Sequence, residues 1–109
     1  MKRRSKYGNV ATTVDGIRFA SRAEARRYGE LKLLVRARKI SLLECQPRFK
    51  LEVHGVKVCT YVADFCYRDL STGLLAAEDV KGHETPVFKI KAALFRALHP
   101  TIELRVVKA

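Results

Sequence analysis

The sequence predicts a single α/β domain in which one helix is followed by three strands, a second helix and a last strand, with a small β-hairpin in front. Three observations predict it. Two stretches, beginning at Ser21 and Thr85, open on capping residues and then repeat their apolar side chains on a helical period. The runs 43–53, 58–67 and 74–81, and the one from Ile102, favour strand residues on a period of two. Asp15-Gly16 lies between two short β-branched or aromatic runs and accepts the positive φ angles of a tight hairpin turn. A chain of 109 residues has room for one modest core, so residues 1–109 are taken as one domain: an arm at 1–9, a hairpin at 10–19 and a core at 20–107.

Residues 1–9 read as a mobile basic arm, and the hairpin follows, with Ala11 to Val14 and Ile17 to Phe19 as its two sides. Ser21-Arg22-Ala23-Glu24 is a capping box, which gives Glu24 a structural role. The helical wheel gives it another, because Glu24 falls near Tyr28 and between Leu31 and Val35, inside the apolar arc that must face a sheet. Arg22, Arg26, Lys32 and Arg36 fall on the far side as a solvated face. Pro47 places the start of the first long strand at an edge or bulge, and His54-Gly55 turns it into the second. Asp69 to Gly73 loops into the third, so the three strands form an antiparallel meander. Thr85 caps the second helix and Pro86 takes its first position, where a missing N–H costs nothing. Val87, Ile90, Leu94, Ala97 and Leu98 form its expected apolar arc. Lys91 falls inside that arc, either snorkelling to its edge or reaching a phosphate.

The chemistry concentrates between Tyr61 and Lys81. On a period of two, Val62, Asp64 and Cys66 share one face, and Ala77, Asp79 and Lys81 share one on the next strand. Like charges buried side by side are costly unless a cation compensates, and an all-oxygen set favours Mg²⁺ or Mn²⁺. Lys81 could then orient a water nucleophile or stabilise charge growing on a phosphate. A cross-strand salt bridge of Asp64 or Asp79 with Lys81 on a solvated face accounts for the same residues. A slip of one residue would put Glu78 where Asp79 is expected.

Lys and Arg number 22 against 11 Asp and Glu, a net charge of +11 that suits a polyanionic partner. Twelve of the basic residues and only three acidic ones lie in residues 1–39, upstream of the acidic stretch, as a phosphate-binding surface beside a metal centre requires. Cys45, Cys59 and Cys66 are odd in number with no C-x-x-C pair, against a disulfide framework or zinc knuckle. His54, His83 and His99 stand singly and are assigned to no metal. No apolar run approaches membrane-spanning length and Met1-Lys2-Arg3-Arg4 leads into no apolar segment, so a cytoplasmic protein is expected, with no membrane partner.

Asp64 followed, after a turn, by Asp79-Val80-Lys81 resembles the PD-(D/E)XK nuclease superfamily, with Ala63 at the position of the name's proline. The segments F-A-S-R-A-E-A-R-R-Y, E-C-Q-P-R-F, Y-V-A-D-F-C-Y and E-D-V-K-G-H-E-T-P-V-F-K are similar to a family of small phage and prophage endonucleases of the Holliday-junction-resolvase kind. The resemblance implies a restriction-endonuclease-like αβββαβ core with a mixed sheet over roughly residues 20–107. It also implies Mg²⁺- or Mn²⁺-dependent hydrolysis of DNA, with branched DNA in phage recombination or packaging as its setting, in the cytoplasm of a bacterial host. Asp64, Asp79 and the Val80 carbonyl would hold the metal, Lys81 the attacking water, and Glu24 would complete the site. Lys2, Arg3, Arg4 and Lys6 of the arm, with Lys89 and Lys91 of the second helix, are the candidate DNA contacts. Symmetric cleavage of two strands would call for a homodimer. The alternative is a non-catalytic DNA-binding phage protein on a degenerate nuclease fold.

Overall fold

The hairpin sets the entry to the fold. β1 (Thr12–Val14) and β2 (Ile17–Phe19) pair antiparallel around Asp15 and Gly16, whose φ angles of 53° and 75° are those a two-residue turn demands. The structure, a computed structural model, describes residues 10–109; the expected arm, with Lys2, Arg3, Arg4 and Lys6, lies outside them. The Asp15 carboxylate accepts hydrogen bonds from the Tyr28 hydroxyl (3.0 Å) and the Lys32 ammonium, which strap the hairpin to α1 (Arg22–Arg36). Lys32 is therefore not merely solvated.

The run 43–53 is two strands rather than one: β3 (Ile40–Cys45) and β4 (Arg48–Val53) are separated at Gln46-Pro47. Pro47 has no N–H for a ladder and Gln46 adopts a left-handed φ of 55°, so the strand must bend there. The run 58–67 breaks opposite, into β5 (Val56–Val62) and β6 (Phe65–Asp69). Pairing carries across the break, with Gln46 N–H donating to the Asp64 carbonyl (2.8 Å) and Ala63 N–H to that of Pro47 (3.2 Å). The two bent strands thus lie in one sheet at one end and form a separate ribbon, β4–β5, at the other.

The main sheet has the order β3-β6-β7-β8, with β7 (Leu75–Lys81) antiparallel to β6 and parallel to β8 (Ile102–Lys108). A parallel neighbour needs a crossover, and α2 (Pro86–Leu98) supplies it. This is an α/β fold with a mixed sheet, two flanking helices and a small N-terminal hairpin, in the αβββαβ order expected.

Alternation along β7 divides the core. Ala76 and Val80 pack with Tyr28, Leu31, Phe65 and Tyr67 on the α1 side, whereas Ala77 packs with Tyr61, Phe88, Ala92 and Phe95 on the α2 side. The expected apolar arc of α2 is rotated. Val87 and Ile90 are 62% and 70% exposed, while Phe88, Ala92 and Phe95 are buried. The rings decide it, since Phe95 lies 4.9 Å from Phe49 and 5.3 Å from Tyr61 between centroids and aromatics bury more apolar area than Val or Ile.

Candidate acidic site at the end of β7

Asp64 occupies the break between β5 and β6, where the ladder no longer dictates its surroundings. Its main-chain N–H donates to the Glu78 carbonyl (3.0 Å) and its carboxylate accepts the Val80 N–H through Oδ2 (2.7 Å). Because N–H and C=O of one strand residue point the same way, the Val80 carbonyl also faces the gap left where β6 ends. Asp79 follows the opposite alternation and shares the α2 side with Ala77 and Lys81. It is 1% exposed, and its Oδ2 has no partner among the described residues. Lys81 Nζ lies 3.7 Å from Asp79 Oδ1 and 4.6 Å from the centre of the Phe88 ring. The amine is thus held between a carboxylate and an aromatic face.

Glu24 reaches the same place from α1. The Ser21 hydroxyl accepts the Glu24 N–H (3.1 Å), so the helix is capped by Ser21. The Glu24 carboxylate, rather than returning to the Ser21 N–H, accepts from the Ser21 hydroxyl (3.4 Å) and lies beside the Asp64 carboxyl. Two carboxyl groups in contact must share a proton or a cation. Burial first, and then the neighbouring Glu24, push the Asp64 pKa up, against the pull of the Val80 N–H and Lys81. Burial likewise raises Asp79 from 3.8 to about 6, with Lys81 pulling it down and Glu24 pushing it up. Glu24, Val80 and Lys81 line a cavity of about 540 Å³, together with Ser21, His83 and Thr85.

Glu78 is fully buried on the α1 side, where it accepts two hydrogen bonds from Arg27, at Nε (2.8 Å) and Nη2 (2.9 Å), and one from the Tyr67 hydroxyl (2.7 Å). The β7 register therefore leaves Asp79, not Glu78, beside Lys81. Sequence reasoning missed Arg27, whose partner lies fifty-one positions away with no local pattern to announce it.

Of the other sequence-predicted residues, Lys89 is exposed on α2, and Lys91 Nζ donates to the Thr60 carbonyl of β5 (3.1 Å). Lys91 thus fastens α2 to the ribbon. The spacing of the acidic residues missed His83 and Lys108, which flank Lys81 at the end of β7. Their one signal was position, immediately after a chemistry-bearing strand and at the end of its neighbour.

Among the described residues, no group of three or more His, Cys, Asp or Glu side chains is arranged to hold a metal. Nor is any helix among them long and apolar enough to cross a membrane. Fold and site together define a mixed-sheet α/β protein with buried carboxylates, a lysine and a helix-borne glutamate at the rim of the sheet. The chain belongs to the family described as "Protein of unknown function (DUF1064)", which matches residues 4–109. No curated protein and no solved structure matches it.

Proposed function

We propose that this chain is a metal-dependent endodeoxyribonuclease that hydrolyses phosphodiester bonds in DNA with Mg²⁺ or Mn²⁺. The observation that carries the proposal is Asp79, a carboxylate 1% exposed whose Oδ2 has no partner among the described residues, near a second, half-buried carboxylate, Asp64. Such an arrangement opposes folding unless the charge is neutralised, and a divalent cation does so without silencing the site. The donors fit a hard ion: the Asp64 and Asp79 carboxylates and the Val80 carbonyl are all oxygen. Mg²⁺ binds through one or two carboxylates, keeps several waters and accepts oxygens of a substrate phosphate, so it does not need three protein side chains. When bound, the ion supplies neutralisation of the charge on the scissile phosphate.

The chain's own groups do the rest. Lys81, held by Asp79 and the Phe88 ring, presents its ammonium to the cavity, where it positions the attacking water and steadies charge on the phosphate. The water oxygen attacks phosphorus in line as the P–O bond to one sugar oxygen breaks; the water's proton passes to solvent or to a carboxylate, and the departing sugar oxygen takes a proton from solvent. Glu24, held by the Ser21 hydroxyl beside Asp64, borders the cavity as a second acceptor for that water. The net charge of +11 supports DNA as the polyanion. Branched DNA is the substrate suggested by the resemblance to small phage endonucleases of the junction-resolving kind, and symmetric cleavage of two strands would call for a homodimer.

Among the described residues no three side chains are grouped for a metal, which is compatible with a second reading, a non-catalytic DNA-binding protein on the same fold. Plasmid nicking separates the two. The proposal requires Mg²⁺-dependent conversion of supercoiled to open circular DNA by the wild type, lost in Asp79→Ala while DNA binding is kept. Binding without nicking across linear, forked and four-way substrates would sink the enzyme reading and leave the binding protein.

A further inference from the structure

β7 and β8 run parallel with Ala77 opposite Leu104, Asp79 opposite Val106 and Lys81 opposite Lys108. Paired residues of neighbouring strands project to the same face, so Lys81 and Lys108 stand side by side on strands about 4.8 Å apart. The Ala109 N–H donating to the Lys81 carbonyl (3.1 Å) extends the ladder past them and keeps that register to the end of the strand. Like charges directly opposite are destabilising. Lys81 has Asp79 to offset its charge; Lys108 has no ion pair among the described residues.

The two lysines, with His83, Glu84 and Val106, line a cleft of about 280 Å³ that adjoins the larger cavity holding Glu24. His83 and Lys81 border both. With Lys81 offset by Asp79 and Glu84 at the cleft, the donors left for an anion are the Lys108 ammonium, which has no ion pair among the described residues, and the His83 imidazole. The cleft lies past Asp79 along the chain, with Lys81 and His83 following Asp79 by two and four positions.

We propose that the cleft at the C-terminal ends of β7 and β8, built from Lys81, His83 and Lys108, binds the backbone phosphate next to the one hydrolysed at Asp64 and Asp79. The assignment rests on the nuclease reading for which phosphate is cut, but the cleft's affinity for a DNA phosphate does not need cleavage. Lys108 and His83 are positioning residues; they hold the strand so that its neighbouring phosphate meets Lys81.

The test uses the full chain and a fluorescent four-way junction and duplex, with Ca²⁺ replacing Mg²⁺ so that binding is read without turnover. Lys108→Ala should bind about tenfold more weakly, with the slope of log K against log salt reduced by about one. Lys108→Arg should stay within about twofold of wild type, because the charge is kept. His83→Ala should raise KM in Mg²⁺ with kcat nearly unchanged, and circular dichroism melts should be those of the wild type for all three. An unchanged affinity and salt slope for Lys108→Ala overturns the subsite even if the wild type cleaves DNA. Equal losses in Lys108→Ala and Lys108→Arg overturn it too, since shape rather than charge would then matter. Weaker binding by Lys108→Ala in a protein that never cleaves upholds the phosphate cleft and refutes the nuclease. A wild type that binds no DNA refutes both.

Discussion

Replacing Asp79 with asparagine should stabilise the metal-free protein at neutral and alkaline pH while removing its response to divalent cations. Asp79 is 1% exposed, its Oδ2 has no partner among the described residues, and burial raises its pKa from 3.8 to about 6. A carboxyl whose folded pKa lies above the unfolded value binds its proton more tightly when folded. The stability it contributes is therefore fully present below 3.8 and is lost as pH rises through about 6. A gap of about two pH units corresponds to ~3 kcal/mol between the acid limit and the ionised state.

By about pH 5 roughly half of that, ~1.4 kcal/mol, is regained, which for a domain near 100 residues is a rise in melting temperature of about 5–10 °C over about pH 8. Asp69 does not blur the window, because Ser71 and Arg105 hold its pKa well below the usual carboxylate range and its contribution fails only in stronger acid. Asp64 moves the same way as Asp79 and leaves the variant a residual trend. Melts followed by circular dichroism in EDTA between about pH 5 and pH 8 should rise on acidification for the wild type and rise less for Asp79→Asn. Mg²⁺ at about pH 8 should then raise the wild type alone. A variant that melts below the wild type at about pH 8, with Mg²⁺ indifferent to both, would refute the idea that Asp79 is an uncompensated carboxylate awaiting a cation.

Glu24→Gln keeps the Ser21 cap, because the cap uses the Glu24 N–H, but removes the charge beside Asp64; cleavage should fall roughly 10–100-fold with the melting temperature flat or higher. Lys81→Ala should lower kcat by roughly 100–1,000-fold while calorimetric Mg²⁺ affinity stays close to wild type, and loss of both together would make Lys81 structural. Arg27→Leu strands the fully buried Glu78 carboxylate and should cost about 3–5 kcal/mol in urea denaturation, most of it recovered when Glu78→Leu is added. Deleting residues 2–6 should weaken DNA binding and flatten its salt dependence by about 0.9 for each phosphate the arm neutralises; an unchanged slope removes the arm from the interface.

The parts of the fold legible in the sequence are those with local causes. Ser21 and Thr85 cap their helices with their own hydroxyls, and Asp15-Gly16 and His54-Gly55 turn because their residues tolerate positive φ. Pro47 gave notice of an irregular strand start, but not that the break would be matched at Ala63-Asp64 on the neighbouring strand. That match depends on pairing between segments far apart in the chain, and it frees Asp64 to take the Val80 N–H. The face of α2 was misjudged for a similar reason. Val87 and Ile90 look as apolar as Phe88 and Phe95 on a wheel, and only the rings of Phe49 and Tyr61 choose between them. Lys108 had only its place at the end of a strand as a signal, because its relation to Lys81 exists only once α2 has brought β8 alongside β7.

The adjacent acids Glu78 and Asp79 show how one strand separates a structural charge from a chemical one. Both are almost fully buried, and alternation sends them to opposite faces. On the α1 side Glu78 meets Arg27 in a two-bond pairing and Tyr67 in a third, so its charge is matched and its geometry fixed. On the α2 side Asp79 meets only Lys81, at 3.7 Å, longer than a hydrogen bond. A slip of β7 by one residue would turn Glu78 to the α2 side and carry Asp79 and Lys81 together to the α1 side, parting Arg27 from Glu78. The Arg27–Glu78 pair opposes that slip, since it would strand a half-buried guanidinium. Arg27 thereby fixes which carboxylate is left unsatisfied, and an unsatisfied carboxylate beside a lysine at a cavity wall is where a cation and a phosphate can be bound together.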